Sequence, residues 1–259
     1  MGVPKASLEW HGSTLVRRIA GLVERAVDGP VVVVRAVDQA LPVLPSRFEV
    51  VEDIEPDAGP MAGIVAGLLA VGARAQTSFV AATDLALIRP ALVRAVVESL
   101  TDGYDLSVPE TGKRLHLLAA AYSARVIPVA QSMLAGSDRR LSDLVATCST
   151  RIVGEAELLA DARLAADDPK LMSLTNLNDV DAYRTAVDLP LPLVTVCRVG
   201  PPDRPGNVAR SDVRAATLGA AIREAALFSA GMSFVRINGA PAPLEDDEPL
   251  VDGDVVELG

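Results

Sequence analysis

The sequence predicts an α/β protein with a mostly parallel sheet covered by helices on both faces, followed by a small α+β domain. Three observations carry that prediction. From Leu15 to Val108, apolar runs of strand length alternate with longer helical patterns, the rhythm of strands joined by crossover helices. The two prolines of Asp188-Leu189-Pro190-Leu191-Pro192 stand too close together for a helix interior and mark a linker. The residues beyond it follow a different order, β-β-α-β-β. The expected division is a first domain over 1–187, a linker over 188–192 and a second domain over 193–259.

Each element has its own warrant. Leu15, Ile19, Leu22, Val23 and Ala26 recur at helical spacing, with Ser13 or Thr14 available as a cap. Asp28-Gly29-Pro30 stops that helix. Residues 31–34 are all valine, as suits a strand buried on both faces. A second strand, 48–51, ends at Glu52-Asp53, and a small-residue helix over 61–71 follows. A third strand, 78–82, ends at Thr83-Asp84, and Pro90 then starts a helix over 91–100. Strands are expected over 104–108, 115–122 and 171–175, and helices over 125–134, 141–147 and 178–186. In the second domain, strands over 193–199 and 207–215 flank a turn-rich loop at 201–206. Thr217 caps a helix over 218–227. A strand over 234–238 runs into Asn238-Gly239, a strong tight-turn signal. Asp252-Gly253-Asp254 turns into a last strand over 255–258.

Composition excludes several classes. Of 259 residues, 50% are hydrophobic and only 3% aromatic, so the core must be built from Val, Leu, Ile and Ala. A net charge of −10 argues against a duplex nucleic-acid partner, which needs a basic face. Cys148 and Cys197 are the only cysteines and lack CxxC spacing, so no zinc site is expected and a reduced chain is the default. No apolar run reaches the roughly 18 residues of a membrane span, and the N-terminus has no apolar signal stretch. The expectation is a soluble cytoplasmic protein with neither a nucleic-acid nor a membrane partner.

Ligands of open parallel sheets bind beyond the carboxyl ends of the strands. Asp53 and Asp84 each follow an apolar strand directly, which would turn both carboxylates into one crevice. They then serve either a metal and a nucleotide or only as strand ends and helix caps. In Asp57-Ala58-Gly59-Pro60-Met61-Ala62-Gly63, Gly59 and Gly63 either admit a ligand close to backbone or form a tight turn and a packing face. Lys5 either neutralises phosphate charge or is a solvated terminal residue. His116, in Lys113-Arg114-Leu115-His116, is either a satisfied strand residue or part of a substrate pocket. His11 has no acid–base constellation around it, and Cys148 carries no nucleophile signature. Glu245-Asp246-Asp247-Glu248 reads as a solvated acidic loop.

Met1-Gly2-Val3-Pro4-Lys5-Ala6-Ser7-Leu8, Val50-Val51-Glu52-Asp53, Gly59-Pro60-Met61-Ala62-Gly63, Thr83-Asp84 and Thr175-Asn176-Leu177-Asn178-Asp179 occur in that order. As an ordered set over about 1–187 they resemble nucleotidyltransferases of the molybdenum cofactor guanylyltransferase type, with a Rossmann-like sheet. That resemblance implies transfer of GMP from GTP to the terminal phosphate of molybdopterin, with release of pyrophosphate. It implies that Lys5 contacts the nucleotide phosphates and that Asp53, Gly59 and Gly63 help hold the nucleotide. It implies that Asp84 binds Mg²⁺ and that Asn176 and Asn178 lie toward the pterin. The family's signature is a strand followed by a Leu-x-Gly-Gly-x-x-x-Arg-Met-Gly loop. Met1-Gly2 alone represent it here, so the glycine-rich loop is expected to be missing. Arg35, Ala86 and Leu117 stand where the family usually has asparagine, proline and proline. The alternatives are a cytidylyltransferase, another nucleotidyltransferase on a related acceptor, or a non-catalytic protein that recruits partners.

The second domain resembles a ubiquitin-like β-grasp domain, similar to the molybdopterin synthase small subunit and the thiamine sulfur carrier. Arg214-Ala215-Ala216-Thr217-Leu218, Val235-Arg236-Ile237-Asn238-Gly239 and Leu250-Val251-Asp252-Gly253-Asp254-Val255-Val256 carry the resemblance. Those carriers end in Gly-Gly, whereas this sequence ends in Leu258-Gly259. The implied role is a docking module for molybdenum-pathway proteins or an inert fusion, rather than sulfur carriage.

Overall fold

A computed structural model describes residues 4–55, 59–136, 140–198, 209–226 and 233–259. The expected 201–206 loop, Met1-Gly2-Val3, Asp57-Ala58 and the ends of three expected elements at 199, 207–208 and 227 lie outside the described residues. Backbone contacts group the chain into two compact units, Met1–Leu22 with Leu177–Gly259, and Val23–Asn176. This grouping is cut differently from the expected domains, since the first helix falls with the C-terminal residues and 188–192 lies inside that unit.

A turn at Lys5–Ser7 leads into the hairpin of β1 (Glu9–Trp10) and β2 (Ser13–Thr14), then α1 (Leu15–Glu24). Leu15, Ile19 and Leu22 are buried as their spacing predicts, whereas Val23 is half-buried and Ala26, also half-buried, lies beyond the end of α1. Ser13 and Thr14 do not cap α1; they pair with Trp10 and Glu9 across the hairpin.

The second unit contains β3 (Val32–Arg35), β4 (Glu49–Glu52), α2 (Pro60–Val71), β5 (Thr77–Ala81), α3 (Pro90–Glu98), β6 (Leu106–Thr111), β7 (Arg114–Leu115), β8 (Ala119–Ser123), α4 (Val126–Ala135), α5 (Leu141–Thr147), β9 (Thr150–Gly154), α6 (Glu155–Leu158) and α7 (Ala162–Asp167). Prolines open α2 and α3, where the missing N–H costs nothing. The expected mostly parallel sheet is instead two pieces, one parallel and one mixed. β3 and β4 pair in parallel as a separate two-stranded sheet. In the other sheet β8 lies antiparallel between β5 and β6, and β7 pairs antiparallel with the end of β6. β9 takes the opposite edge of β6 in parallel. The cause is local: β6 returns through a two-residue turn rather than a helix, so its next partners must run against it. The β3 strand is half-buried apart from Val33, not covered on both faces. Met61, Val65, Leu68, Leu106, Val108 and Tyr122 belong to one apolar core, where the Tyr122 hydroxyl donates to the Leu117 carbonyl at 2.7 Å.

Two further expectations fail here. The stretch 115–122 is not one strand but the short β7 and β8. Residues 171–175 form no strand: Met172–Leu174 is a single 3₁₀ turn. Asp168 is the reason, because its carboxylate accepts from the amides of Met172 at 2.7 Å and Ser173 at 2.8 Å, curling the chain as an Asx-type cap does.

The chain continues with α8 (Val180–Val187), capped by Asp179 through the amide of Ala182. Then come β10 (Leu193–Arg198), β11 (Ala209–Arg214), α9 (Leu218–Glu224), β12 (Val235–Ile237), β13 (Ala240–Ala242) and β14 (Val255–Leu258). Thr217 precedes α9 but makes no side-chain cap bond. The sheet order is β11-β10-β14-β12-β13, with the last strand parallel to β10 in the middle. Val194, Val196, Leu218, Ile222, Ile237 and Val256 form the core beneath α9.

The Asn238-Gly239 turn joins β12 to β13 as expected, with φ of 54° and 80°. Asn238 does more than turn. Its amide nitrogen donates to Asp254 Oδ1 and its amide oxygen accepts from Val255 N, both at 2.8 Å. Asn238→Ala removes both bonds at a left-handed position and is expected to cost about 2 kcal/mol. A urea midpoint that falls at unchanged slope checks this; an unmoved midpoint contradicts it.

Candidate active site

Asp84 sits in a turn just past the carboxyl end of β5. That turn is held by Ala82 N donating to Leu118 O at 2.9 Å and Leu85 N donating to Ala82 O at 3.3 Å. The next layer comes from far along the chain. The 3₁₀ turn held by Asp168 also donates Ser173 Oγ to the Leu87 carbonyl at 3.4 Å. Asn176 follows directly and its amide nitrogen donates to Asp84 Oδ1 at 3.0 Å. On its other side, Arg114 Nη2 donates to Asn176 Oδ1 at 3.3 Å. The result is a chain of contacts, guanidinium to amide to carboxylate, in which Asp84 and Asn176 are half-buried and Arg114 is exposed.

A second group forms at the carboxyl end of β4. Asp53 N donates to Arg35 O at 2.7 Å, extending the β3–β4 pairing by one residue. Its carboxylate accepts from Glu55 N at 3.3 Å. Asp53 Oδ2 also lies 3.7 Å from where a Cβ on Gly63 would stand, so the carboxylate is set against the first turn of α2. Gly59 precedes α2 with φ of 74°, a conformation that favours glycine. Gly63 has no such need; a Cβ there would meet only ordinary contacts. Arg35 is engaged at the same end, donating to Glu52 Oε1 at 2.8 Å and Gln39 O at 3.0 Å.

Asp53 follows a strand of one sheet and Asp84 a strand of the other. Lys5 lies in the first turn of the unit Met1–Leu22 with Leu177–Gly259, half-buried. Asn178 is exposed in that same unit, at the start of α8. The structure thus joins Asp84 with Asn176, and Asp53 with Gly63.

His116 is buried, with Nε2 2.7 Å from Thr111 Oγ1. Burial first, and the Arg114 charge second, hold its pKa below the ordinary value. It is a satisfied neutral residue that braces the β6–β7 hairpin. Arg114 is the residue that sequence spacing does not single out: nothing in Lys113-Arg114-Leu115-His116 indicates that it meets a residue 62 positions later.

Among the described residues, no group of three or more His, Cys, Asp or Glu side chains could hold a metal ion. A cage made by protein alone is therefore absent from them. A single half-buried carboxylate suits the other kind of site, in which Mg²⁺ keeps waters and substrate phosphates as its remaining ligands. No helix among the described residues is long and apolar enough to cross a membrane.

Residues 1–152 match the family described as MobA-like NTP transferase domain. The chain is 33% identical over 167 residues to "Probable molybdenum cofactor guanylyltransferase" of Pelotomaculum thermopropionicum, covering 64% of this chain and 78% of the relative. It is 27% identical over 185 residues to the molybdenum cofactor guanylyltransferase of Desulfosudis oleivorans, covering 71% and 86%. The fold is similar to a crystal structure of molybdopterin-guanine dinucleotide biosynthesis protein A from Archaeoglobus fulgidus. The TM-score is 0.54 at 20% identity, over 73% of this chain and 91% of that one.

Proposed function

From the premise that the chain belongs to the MobA-like NTP transferase domain family, we propose that it transfers the GMP moiety of GTP to molybdopterin. The acceptor's phosphate oxygen attacks the α-phosphorus of GTP; the new P–O–P bond forms as the bond to the β-phosphate breaks, and pyrophosphate leaves. Such a direct displacement needs positioning and charge neutralisation rather than a covalent intermediate.

The observation that carries this reading is the Asn176–Asp84 hydrogen bond, which joins two motifs of the ordered set at one place. Asp84 would hold Mg²⁺, which when bound supplies positive charge to the transferring phosphates. Asn176 fixes the Asp84 carboxylate from one side. Asp53, Gly59 and Gly63 take the nucleotide at the β4–α2 end, Lys5 its phosphates, and Asn176 and Asn178 the pterin side.

We further assign residues 1–187 to the nucleotidyltransferase and 193–259 to a ubiquitin-like β-grasp domain that docks molybdenum-pathway proteins in the cytoplasm. The β11-β10-β14-β12-β13 order around α9 supports that fold.

The test uses the full chain with molybdopterin, GTP and Mg²⁺. The expected result is pyrophosphate release that requires both substrates and falls when CTP replaces GTP. Equal or faster release with CTP favours the cytidylyltransferase; no release with either nucleotide favours a non-catalytic protein.

A further inference from the structure

We propose that Arg114 is a further substrate-binding residue that holds the phosphate monoester of the acceptor beside Asp84; this rests on the guanylyl transfer proposed above. The hairpin that carries it is built to present charge. Gly112 and Lys113 turn the chain between β6 and β7 with φ of 52° and 66°, and Glu155 Oε1 fixes the turn by accepting from Gly112 N at 2.9 Å. Thr111 and His116 lock the base of the hairpin from inside.

In a chain with a net charge of −10, described arginines such as Arg35, Arg74, Arg125 and Arg151 pair with carboxylates. Among the described residues, no carboxylate pairs with Arg114 or Lys113. The side-chain partner of Arg114 is the neutral amide of Asn176. Glu155, the nearby acid, is engaged on the Gly112 amide.

Position selects the ligand. Asp53 and Gly63 sit at the β4–α2 end, Asp84 follows β5, and Arg114 lies on β7 at the far end of the β5-β8-β6-β7 path. A nucleotide held at the α2 end leaves the Arg114 side for the group that attacks. In-line displacement requires nucleophile and leaving group on opposite sides of the phosphorus. A phosphate monoester there matches a guanidinium, which offers a planar fork of donors.

The experiment compares the wild-type chain, Arg114→Ala and Arg114→Lys. The alanine variant is expected to raise KM for molybdopterin about tenfold to a hundredfold, the loss of one charged hydrogen-bond contact, while KM for GTP moves less than about twofold. Lysine restores part of the loss. Equilibrium binding of molybdopterin and of its dephosphorylated form supplies a readout independent of turnover. The wild type should prefer the phosphorylated form and Arg114→Ala should lose that preference. An unchanged KM for molybdopterin, a rise in KM for GTP instead, or no phosphate preference in the wild type each overturns the assignment. A wild type that transfers no GMP overturns the reaction proposed above, and the binding comparison still decides Arg114.

Discussion

Replacing Asp84 with alanine is expected to lower guanylyl transfer roughly a hundredfold to a thousandfold, as loss of a fixed charge at a transferring phosphate does. The structural cost should be small, because Asp84 is half-buried in a turn and that turn keeps its backbone bonds from Ala82 and Leu85. About 1 kcal/mol is the expected loss of stability, the value of the hydrogen bond to Asn176. Asp84→Asn separates charge from shape. It keeps an oxygen for the Asn176 amide to reach and removes the negative charge. Activity should therefore stay as low as in the alanine variant, and added Mg²⁺ should not recover it. Pyrophosphate release at saturating GTP measures the effect. A rate within twofold of wild type in Asp84→Ala would sink the metal assignment, and full recovery in Asp84→Asn would reduce Asp84 to a scaffold for Asn176.

Asp84 also shows what spacing along a chain does and does not reveal. Its place after a strand was legible, since an apolar run of strand length ends in Thr83-Asp84. Its partner was not: Asn176 lies 92 residues away, and only the ordered resemblance brought the two into one account. The contact depends on Asp168 curling 172–174 into a turn, where apolar residues alone suggested a strand. α1, α2 and α3 were readable because periodic leucines and valines, or a leading proline, fix a helix locally. β9 was not, since Thr150–Gly154 is short and exposes Ile152. α6 and α7, of 4 and 6 residues, are too short to show a period.

Strand direction escaped the sequence for a different reason. A strand's residues record how deeply it is buried, not which way its neighbour runs. β8 is buried throughout and its alanines would suit a parallel sheet equally well. Its antiparallel pairing follows from the short route back from β6, a property of the connection. The β10–β14 region was more legible because its turns, Asn238-Gly239 above all, specify pairing locally.

Arg17→Met is expected to destabilise the protein by about 3–5 kcal/mol, the loss seen when one member of a buried ion pair is removed. Composition made Glu245-Asp246-Asp247-Glu248 look like a solvated loop; the structure corrects this. Arg17 and Glu248 are each 1% exposed and meet at 2.6 Å, and Arg17 also reaches Glu245 at 2.8 Å and Asp247 at 3.3 Å. Arg18 adds a bond to the Leu250 carbonyl at 3.3 Å. Gly21 lets the helix approach closely, since a Cβ there would lie 2.8 Å from Pro249. α1 is thus fastened to the acidic loop rather than merely near it. Methionine fills much of the arginine's volume and removes the cation that Glu248 meets at 2.6 Å. Arg17→Met with Glu248→Gln also lowers the charge buried opposite that position, so the double variant should recover at least half of the loss. Urea unfolding of the full chain measures both. A loss below about 1 kcal/mol in Arg17→Met, a value typical of exposed pairs, would return the acidic segment to the solvated role that its composition suggests. A large loss makes the residues after Leu193 a structural support of α1, so that deleting them would remove a fold element and not only a docking module.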